Sequence, residues 1–246
     1  MAELIAVEGL PEFEPADVVG AEIAARIQLT GGDVVVISQK VVSKAEGRLR
    51  DLDEVEPGPQ ARELAAEHDK DPALVELVLA ESSRIVRAAG GVLITETHSG
   101  LICANAGIDS SNAGGGRRVA LLPADPDASA RRIRAEIETA AAVRPAVVIA
   151  DSFGRPWRLG QAEVAIGCAG LEPLDDWRGR RDRDGRELEA TAIAVADQLA
   201  AAADLVRSKD GGQPVVVVRG LGHLVQTEDG PGAAALQRPA GEDLFR

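Results

Sequence analysis

The chain has 246 residues, room for one large domain or two small ones with a substantial core. Its 45% hydrophobic and 27% charged composition is that of a soluble globular protein, and a net charge of −13 argues against nucleic-acid and anionic-membrane partners. Aromatics at 2%, with no tyrosine, remove the stacking platforms that hold single-stranded nucleic acid and leave the core to Ala, Val, Leu and Ile.

In chain order, Leu4 to Val7 reads as a short strand closed by Gly9-Leu10-Pro11-Glu12-Phe13. Asp17 is placed to cap a helix whose apolar face is Val19, Ile23 and Ile27, with Gly31-Gly32 ending the unit. Asp33 to Ser38 follows as a strand buried on both faces and runs into a polar loop, Ser38 to Lys44. A helical region begins near Gln60 and is restarted by Asp71-Pro72, with Pro72 suited to a first helical turn. Arg84 to Arg87 and Val92 to Thr95 flank Ala88-Ala89-Gly90-Gly91 as a hairpin. Leu101 to Ala104 leads into the glycine-rich segment Gly107 to Gly116, and Val119 to Leu122 returns as a strand. Asp125 or Asp127 caps a helix from about Ala128 to Ala142, followed by the apolar strand Ala146 to Ala150. Val164 to Cys168 reads as a strand, Trp177 to Arg186 as a charged loop, and Thr191 to Val206 as an alanine-rich helix. Pro214 to Val218 is a last buried strand, its proline setting it at a strand start or edge. Strands and helices mix without strict alternation and hairpins recur, which predicts an α/β protein of α+β type with mixed, partly antiparallel sheets and flanking helices. Residues 1–246 show no internal repeat and no linker, so they read as one module.

Cys103 and Cys168 sit among apolar or small residues outside any CxxC pair, the pattern of buried free thiols in a reducing compartment. The N-terminus lacks a basic region and no apolar run is long enough to span a bilayer, so a cytoplasmic location is expected. His68, in a charged helical region, reads as solvated, and the three histidines show no zinc-ligand spacing.

Three polar segments, each after an apolar strand, carry the chemistry. Ser38 to Lys44 holds two of only four lysines, Lys40 and Lys44 (Lys70 and Lys209 are the others); they share a face if helical, or both reach anionic oxygens from a loop. Gly107 to Gly116 supplies Asp109 as a ligand for a hard metal and Asn112 as a hydrogen-bonding group, among glycines that let backbone N–H groups approach an anion. In the third, the strand Ala146 to Ala150 stops at Asp151-Ser152-Phe153-Gly154-Arg155-Pro156-Trp157-Arg158. A carboxylate beside a hydroxyl suits Mg²⁺ or Mn²⁺, and Arg155 and Arg158 suit phosphate, although a solvated turn explains the same letters. GxxxxGK[ST] and GxSxG are both absent. Two carboxylates, a hydroxyl and a set of Lys and Arg residues together describe a site for a metal–polyphosphate complex, and so an NTP-dependent enzyme.

These blocks resemble the coenzyme F-420-0:L-glutamate ligase family, the γ-glutamyl ligases. The resemblance rests on Leu10-Pro11-Glu12-Phe13, Val41-Val42-Ser43-Lys44 with Glu46-Gly47-Arg48, Gly107-Ile108-Asp109 with Ser111-Asn112, Asp151-Ser152 with Gly154-Arg155, and Trp157-Arg158 with Gly160. It continues through Arg181-Asp182, Gly185, Glu187-Leu188, Ala194-Val195-Ala196-Asp197 and Pro214 to Gly220. The resemblance implies a homodimeric, GTP-dependent amide ligase. The γ-phosphoryl group activates a carboxylate of F-420-0 as an acyl phosphate, and the amine of L-glutamate displaces phosphate. It also implies GTP against Leu10, Pro11, Glu12, Phe13, Gln39, Lys44 and Asn112, and Mg²⁺ or Mn²⁺ on Asp109, Asp151 and Ser152, with K⁺ a further candidate cation. Gln39 departs from the small hydroxyl residue common there in relatives, and the segment Asp210 to Gln213 is expected near the nucleotide. The helix Thr191 to Val206 would accommodate the dimer. Actinobacterial relatives often continue into a nitroreductase-like flavin domain, and this chain stops near where one would begin. Two other functions remain open: a ligase of the same scaffold with another acid and amine, and a non-catalytic nucleotide-binding or dimerisation module.

Overall fold

The computed structural model describes residues 1–207 and 211–243; Lys209, Asp210 and the last three residues lie outside them. β1 (Glu3–Ala6) leads through the Leu10-to-Phe13 segment to α1 (Val19–Ala24), and β2 (Val34–Ser38) passes directly into α2 (Gln39–Ala45) and β3 (Leu49–Asp51). Helices α3 (Pro59–His68) and α4 (Pro72–Ala80) precede the hairpin β4 (Ser82–Ala89) and β5 (Val92–Thr97), then β6 (Ile102–Ala104) and β7 (Arg118–Ala120). After α5 (Pro126–Ala141) comes a long hairpin, β8 (Ala146–Arg155) and β9 (Arg158–Ala169). β10 (Leu174–Asp176), β11 (Ala192–Ala194), α6 (Val195–Asp204) and β12 (Val215–Arg219) complete the regular structure, and short 3-10 turns follow.

The main sheet has the order β1-β12-β2-β8-β9. Only β2 and β8 pair in parallel; the other three pairings are antiparallel. Its central strands read as unbroken valine and isoleucine because they are covered on both faces. Val35, Ile37, Val147, Ile149, Val215 and Val217 face α1, α2 and α5, while Val34, Val36, Val148, Val216 and Val218 face α6 and the C-terminal turns. Every one of these side chains is at most 2% exposed, a burial that contributes roughly 1.5–3 kcal/mol for each large aliphatic group. A second sheet, β4-β5-β6, packs with α3 and α4 around a smaller core, and β3-β7 and β10-β11 form two-stranded ribbons. The protein is thus a mixed α/β fold with partly antiparallel sheets.

Several sequence expectations change in detail. Ser38 to Lys44 is not a loop, because α2 starts at Gln39. The strand that begins at Ala146 does not stop at Asp151: β8 runs on to Arg155, held by ladder pairing with β9, and Trp157 at φ +62° takes part in the turn. Asp17 does not cap α1; its carboxylate accepts the Glu14 N–H, and Val18 occupies the cap position without a side-chain bond. The alanine-rich helix begins at Val195 rather than Thr191, since Ala192–Ala194 form β11 and pair with β10. His68 is not solvated, its side chain being 10% exposed. Asp125 does cap α5, Asp71 caps α4, and both cysteines are buried free thiols. No described helix is long and apolar enough to cross a membrane.

Candidate functional site

The parallel pair sets where the site lies. The β2–β8 pairing ends at Ser38 opposite Ala150, so the start of α2 and the next residues of β8, Asp151 and Ser152, are brought together. In open α/β sheets ligands gather at this end of the strands. A cleft of about 690 Å³ opens there, lined by the Leu10-to-Phe13 segment, Lys40 and Lys44 of α2, Asn112, the Asp151-Ser152 stretch of β8, Glu163 of β9, and Arg207 with Gly212 to Pro214.

Helix α2 places Lys40 and Lys44 one turn apart on the cleft side, so their helical spacing, not a loop, makes them neighbours. Lys44 is almost buried and ion-paired with Glu12, which ties the helix to the Leu10-to-Phe13 segment. Lys40 reaches across to the glycine-rich segment, with its Nζ 2.6 Å from Asp109 Oδ2 and donating to Ser111 Oγ at 2.9 Å. Asp109 is itself fixed by a two-way backbone bridge to Ala120 and by the Ser111 N–H, which donates to Oδ1 at 2.6 Å. Burial alone would raise the Asp109 carboxyl, but Lys40 and Ser111 outweigh it and hold the group below its ordinary value.

Asp151 is shifted the other way. Burial, together with the charges of Glu163 and Asp109, pushes its carboxyl up to about 7, against opposing help from the Ser152 N–H and from Lys40. Ser152 stands directly opposite Glu163 across the β8–β9 ladder. Its hydroxyl donates to Glu163 Oε1 at 2.7 Å, and Arg207 donates to Glu163 Oε2 at 2.9 Å. Asp197 at the start of α6 accepts the Ala165 N–H, which holds that stretch of β9 against the helix.

Most of the expected site residues converge: Leu10, Pro11, Glu12, Phe13, Lys44, Asn112, Asp151 and Ser152 line the cleft, and Asp109 reaches it through Lys40. Of the described part of the expected Asp210-to-Gln213 segment, Gly212 and Gln213 line it too, and Asp210 lies outside the described residues. Gln39 does not: it is fully buried, its Oε1 accepting from Ser43, whose hydroxyl also bonds the Leu121 carbonyl. Arg155 and Arg158 sit at the exposed end of the hairpin, where Arg155 bonds the Leu159 carbonyl, away from the cleft lining. Glu163 and Arg207 were not singled out from the sequence. A lone acid inside the otherwise apolar run Ala162 to Ile166 was the available signal for Glu163. Arg207 had none.

Among the described residues no three of His, Cys, Asp and Glu converge as a self-sufficient metal cage. The donors present are all oxygen, and one or two carboxylates plus a hydroxyl fit a cation such as Mg²⁺ that takes the rest of its ligands from water and substrate phosphates.

Comparison with known proteins decides the family. A profile of the F420-0:Gamma-glutamyl ligase family matches residues 9–220. The chain belongs to this family. A relative named Coenzyme F420:L-glutamate ligase, from Methanothermobacter thermautotrophicus, is 45% identical over 251 aligned positions, 99% of this chain and 98% of its own length. Proteins of the same name from Methanopyrus kandleri and Haloarcula marismortui are 46% and 44% identical, covering 96% and 99% of this chain. The family match spans every segment that lines the cleft, from Leu10 to Pro214.

Proposed function

We propose that the chain is a GTP- and divalent-metal-dependent ligase that joins L-glutamate to coenzyme F-420-0 in F-420 biosynthesis. The observation that carries this reading is the meeting of Lys40 and Lys44 with Asp109, Asp151 and Ser152 where the β2–β8 pairing ends, in a chain of this family. Lys44 and Asn112, with the backbone of Leu10 to Phe13, hold the nucleotide; the two ammonium groups offset charge on the polyphosphate. Asp109, Asp151 and Ser152 would hold Mg²⁺ or Mn²⁺, which supplies charge stabilisation on phosphate oxygens. In the first step a carboxylate oxygen of F-420-0 bonds to the γ-phosphorus as the bond to the β-phosphate oxygen breaks, releasing GDP. The glutamate nitrogen then attacks the acyl carbon, phosphate leaves, and the amine proton passes to solvent or phosphate. The same reading has the enzyme as a cytoplasmic homodimer. Much of the apolar face of α6 is covered by its own sheet, but Leu205 and Val206 just past its end are exposed, as are Trp157 and Leu159 at the hairpin tip, and these are the apolar surfaces offered for it.

The test is mass-spectrometric: with F-420-0, L-glutamate, GTP and Mn²⁺, F-420-0 gains glutamate, and GDP and phosphate appear only when both substrates are present. Unextended F-420-0 sinks the assignment. Extension of another acid or amine in its place establishes a different ligase on the same scaffold.

A further inference from the structure

We infer that Glu163 is a positioning residue that sets the direction of the Ser152 hydroxyl, so that the serine meets a cation in the cleft with its oxygen and not its proton. This rests on the proposed metal reading for Asp151 and Ser152. Three observations carry it. Ser152 and Glu163 are register partners, so their side chains leave the ladder on the same face, and the Oγ to Oε1 distance is 2.7 Å. An ionised carboxylate only accepts, so the proton in this bond is the serine's. Arg207 engages the second oxygen, Oε2, at 2.9 Å, which decides which oxygen is turned to Ser152.

The arrangement is a poor way to gain stability. Glu163 and Arg207 side chains are 6% and 7% exposed, and taking both charges out of water offsets most of their attraction. Their place in the cleft wall gives them another use. Arg207 also approaches the Pro214 carbonyl at 3.4 Å, so one guanidinium joins the β8–β9 hairpin to the Gly212-to-Pro214 wall opposite. Outer groups that aim a ligand commonly change metal affinity by about 10–100-fold.

Glu163→Gln is the informative change. If the amide oxygen accepts from Arg207, the amide N–H turns toward Ser152, and the serine must accept where it donated. The measurement is Mn²⁺ binding to the chain without substrates, followed by the electron paramagnetic resonance signal of the free ion. Glu163→Gln is expected to weaken Mn²⁺ binding about tenfold or more. In a Ser152→Ala background the same change is expected to add nothing, a coupling that a merely structural role does not produce. Because Glu163→Gln leaves Arg207 buried without its counter-charge, the pair Glu163→Leu with Arg207→Met is measured as well; neither new side chain can take the Ser152 proton, and the pair is expected to fold and to bind Mn²⁺ about tenfold or more weakly. Wild-type affinity in that folded double variant, or independent effects of the 152 and 163 changes, overturns the proposal. Asp151→Asn separates the two layers: if it binds Mn²⁺ like wild type, the metal reading itself is wrong. If it alone loses Mn²⁺ while the Glu163 variants do not, only the positioning role falls.

Discussion

Replacing Asp151 by Asn should stabilise the metal-free protein at pH 8 and do so much less at pH 5. Burial and the neighbouring carboxylates Glu163 and Asp109 raise the Asp151 carboxyl from 3.8 to about 7. Between those values the folded chain binds a proton that the unfolded chain does not, so wild-type stability falls as pH rises through that window. The slope ceiling is about 1.4 kcal/mol per pH unit, and the full span about 4 kcal/mol. Asp151 is partly solvated, so screening cuts the realised figure to roughly 1–2 kcal/mol. Asparagine keeps an acceptor for the Ser152 N–H and has no charge to desolvate. Urea unfolding in EDTA at pH 5, 6, 7 and 8 should therefore show a difference between variant and wild type that grows from about a third of its full value at pH 5 to roughly 1–2 kcal/mol at pH 8. Groups elsewhere cancel in that difference. A difference that is flat with pH, or a variant less stable at pH 8, refutes the view of Asp151 as a strained carboxylate waiting for a counter-charge. Added Mn²⁺ should reverse the order, because binding to the folded wild type alone raises its stability.

Gly20→Ala tests the contact of α1 with α5: a Cβ there would lie 2.5 Å from Glu136 Cβ and 2.7 Å from the Ile133 carbonyl oxygen, so the helices must part, at about 1–3 kcal/mol in a thermal melt. Arg219→Met leaves the fully buried Asp33 with only the Thr30 N–H and hydroxyl, and should cost roughly 2–3 kcal/mol near neutral pH. Burial would raise Asp33, but Arg219 and Thr30 hold it below 3.8, so the pair's stabilisation is present above about pH 4 and lost as pH falls through the lower folded value; the variant should show a shallower acid transition. Arg134→Met removes a fully buried guanidinium that bonds the carbonyls of Pro145, Gln226 and Glu228 and the Asp229 carboxylate. Hydrogen exchange should quicken first at the Gly170 and Gln226 amides, which tie that tail to β9, and the loss of stability should exceed about 3 kcal/mol.

The central strands were legible because a run such as Val34-Val35-Val36-Ile37 has few alternatives when both faces must be covered. Capping acids and prolines likewise marked α4 and α5 correctly. What misled was polarity taken as exposure. Gln39, Ser43 and Lys44 look like a loop, yet they are buried in α2 because Ser43 satisfies the Leu121 carbonyl and Lys44 finds Glu12. Asp151 and Ser152 looked like a strand end, whereas β9 continues the ladder beyond them, and pairing with a distant partner leaves no mark in the local letters. Asp151 and Ser152, which carry a motif, line the cleft as expected from the sequence; Glu163 and Arg207 line it too, but meet partners far along the chain and were not singled out. Their meaning comes from register alone.

The order β1-β12-β2-β8-β9 also constrains how the protein is made. Ile5 pairs with Val217, and Val35 with both Val147 and Val217, so the first strands to leave the ribosome wait for partners more than a hundred residues away. At about 5–20 residues per second of synthesis, β1 stays without its neighbour for roughly 10–40 s. During that interval the Leu10-to-Phe13 segment has no fixed place, and the cleft cannot form. The ligase site is therefore among the last features to assemble, and a nascent chain shortened before β12 should bind no nucleotide however much of its sequence is present.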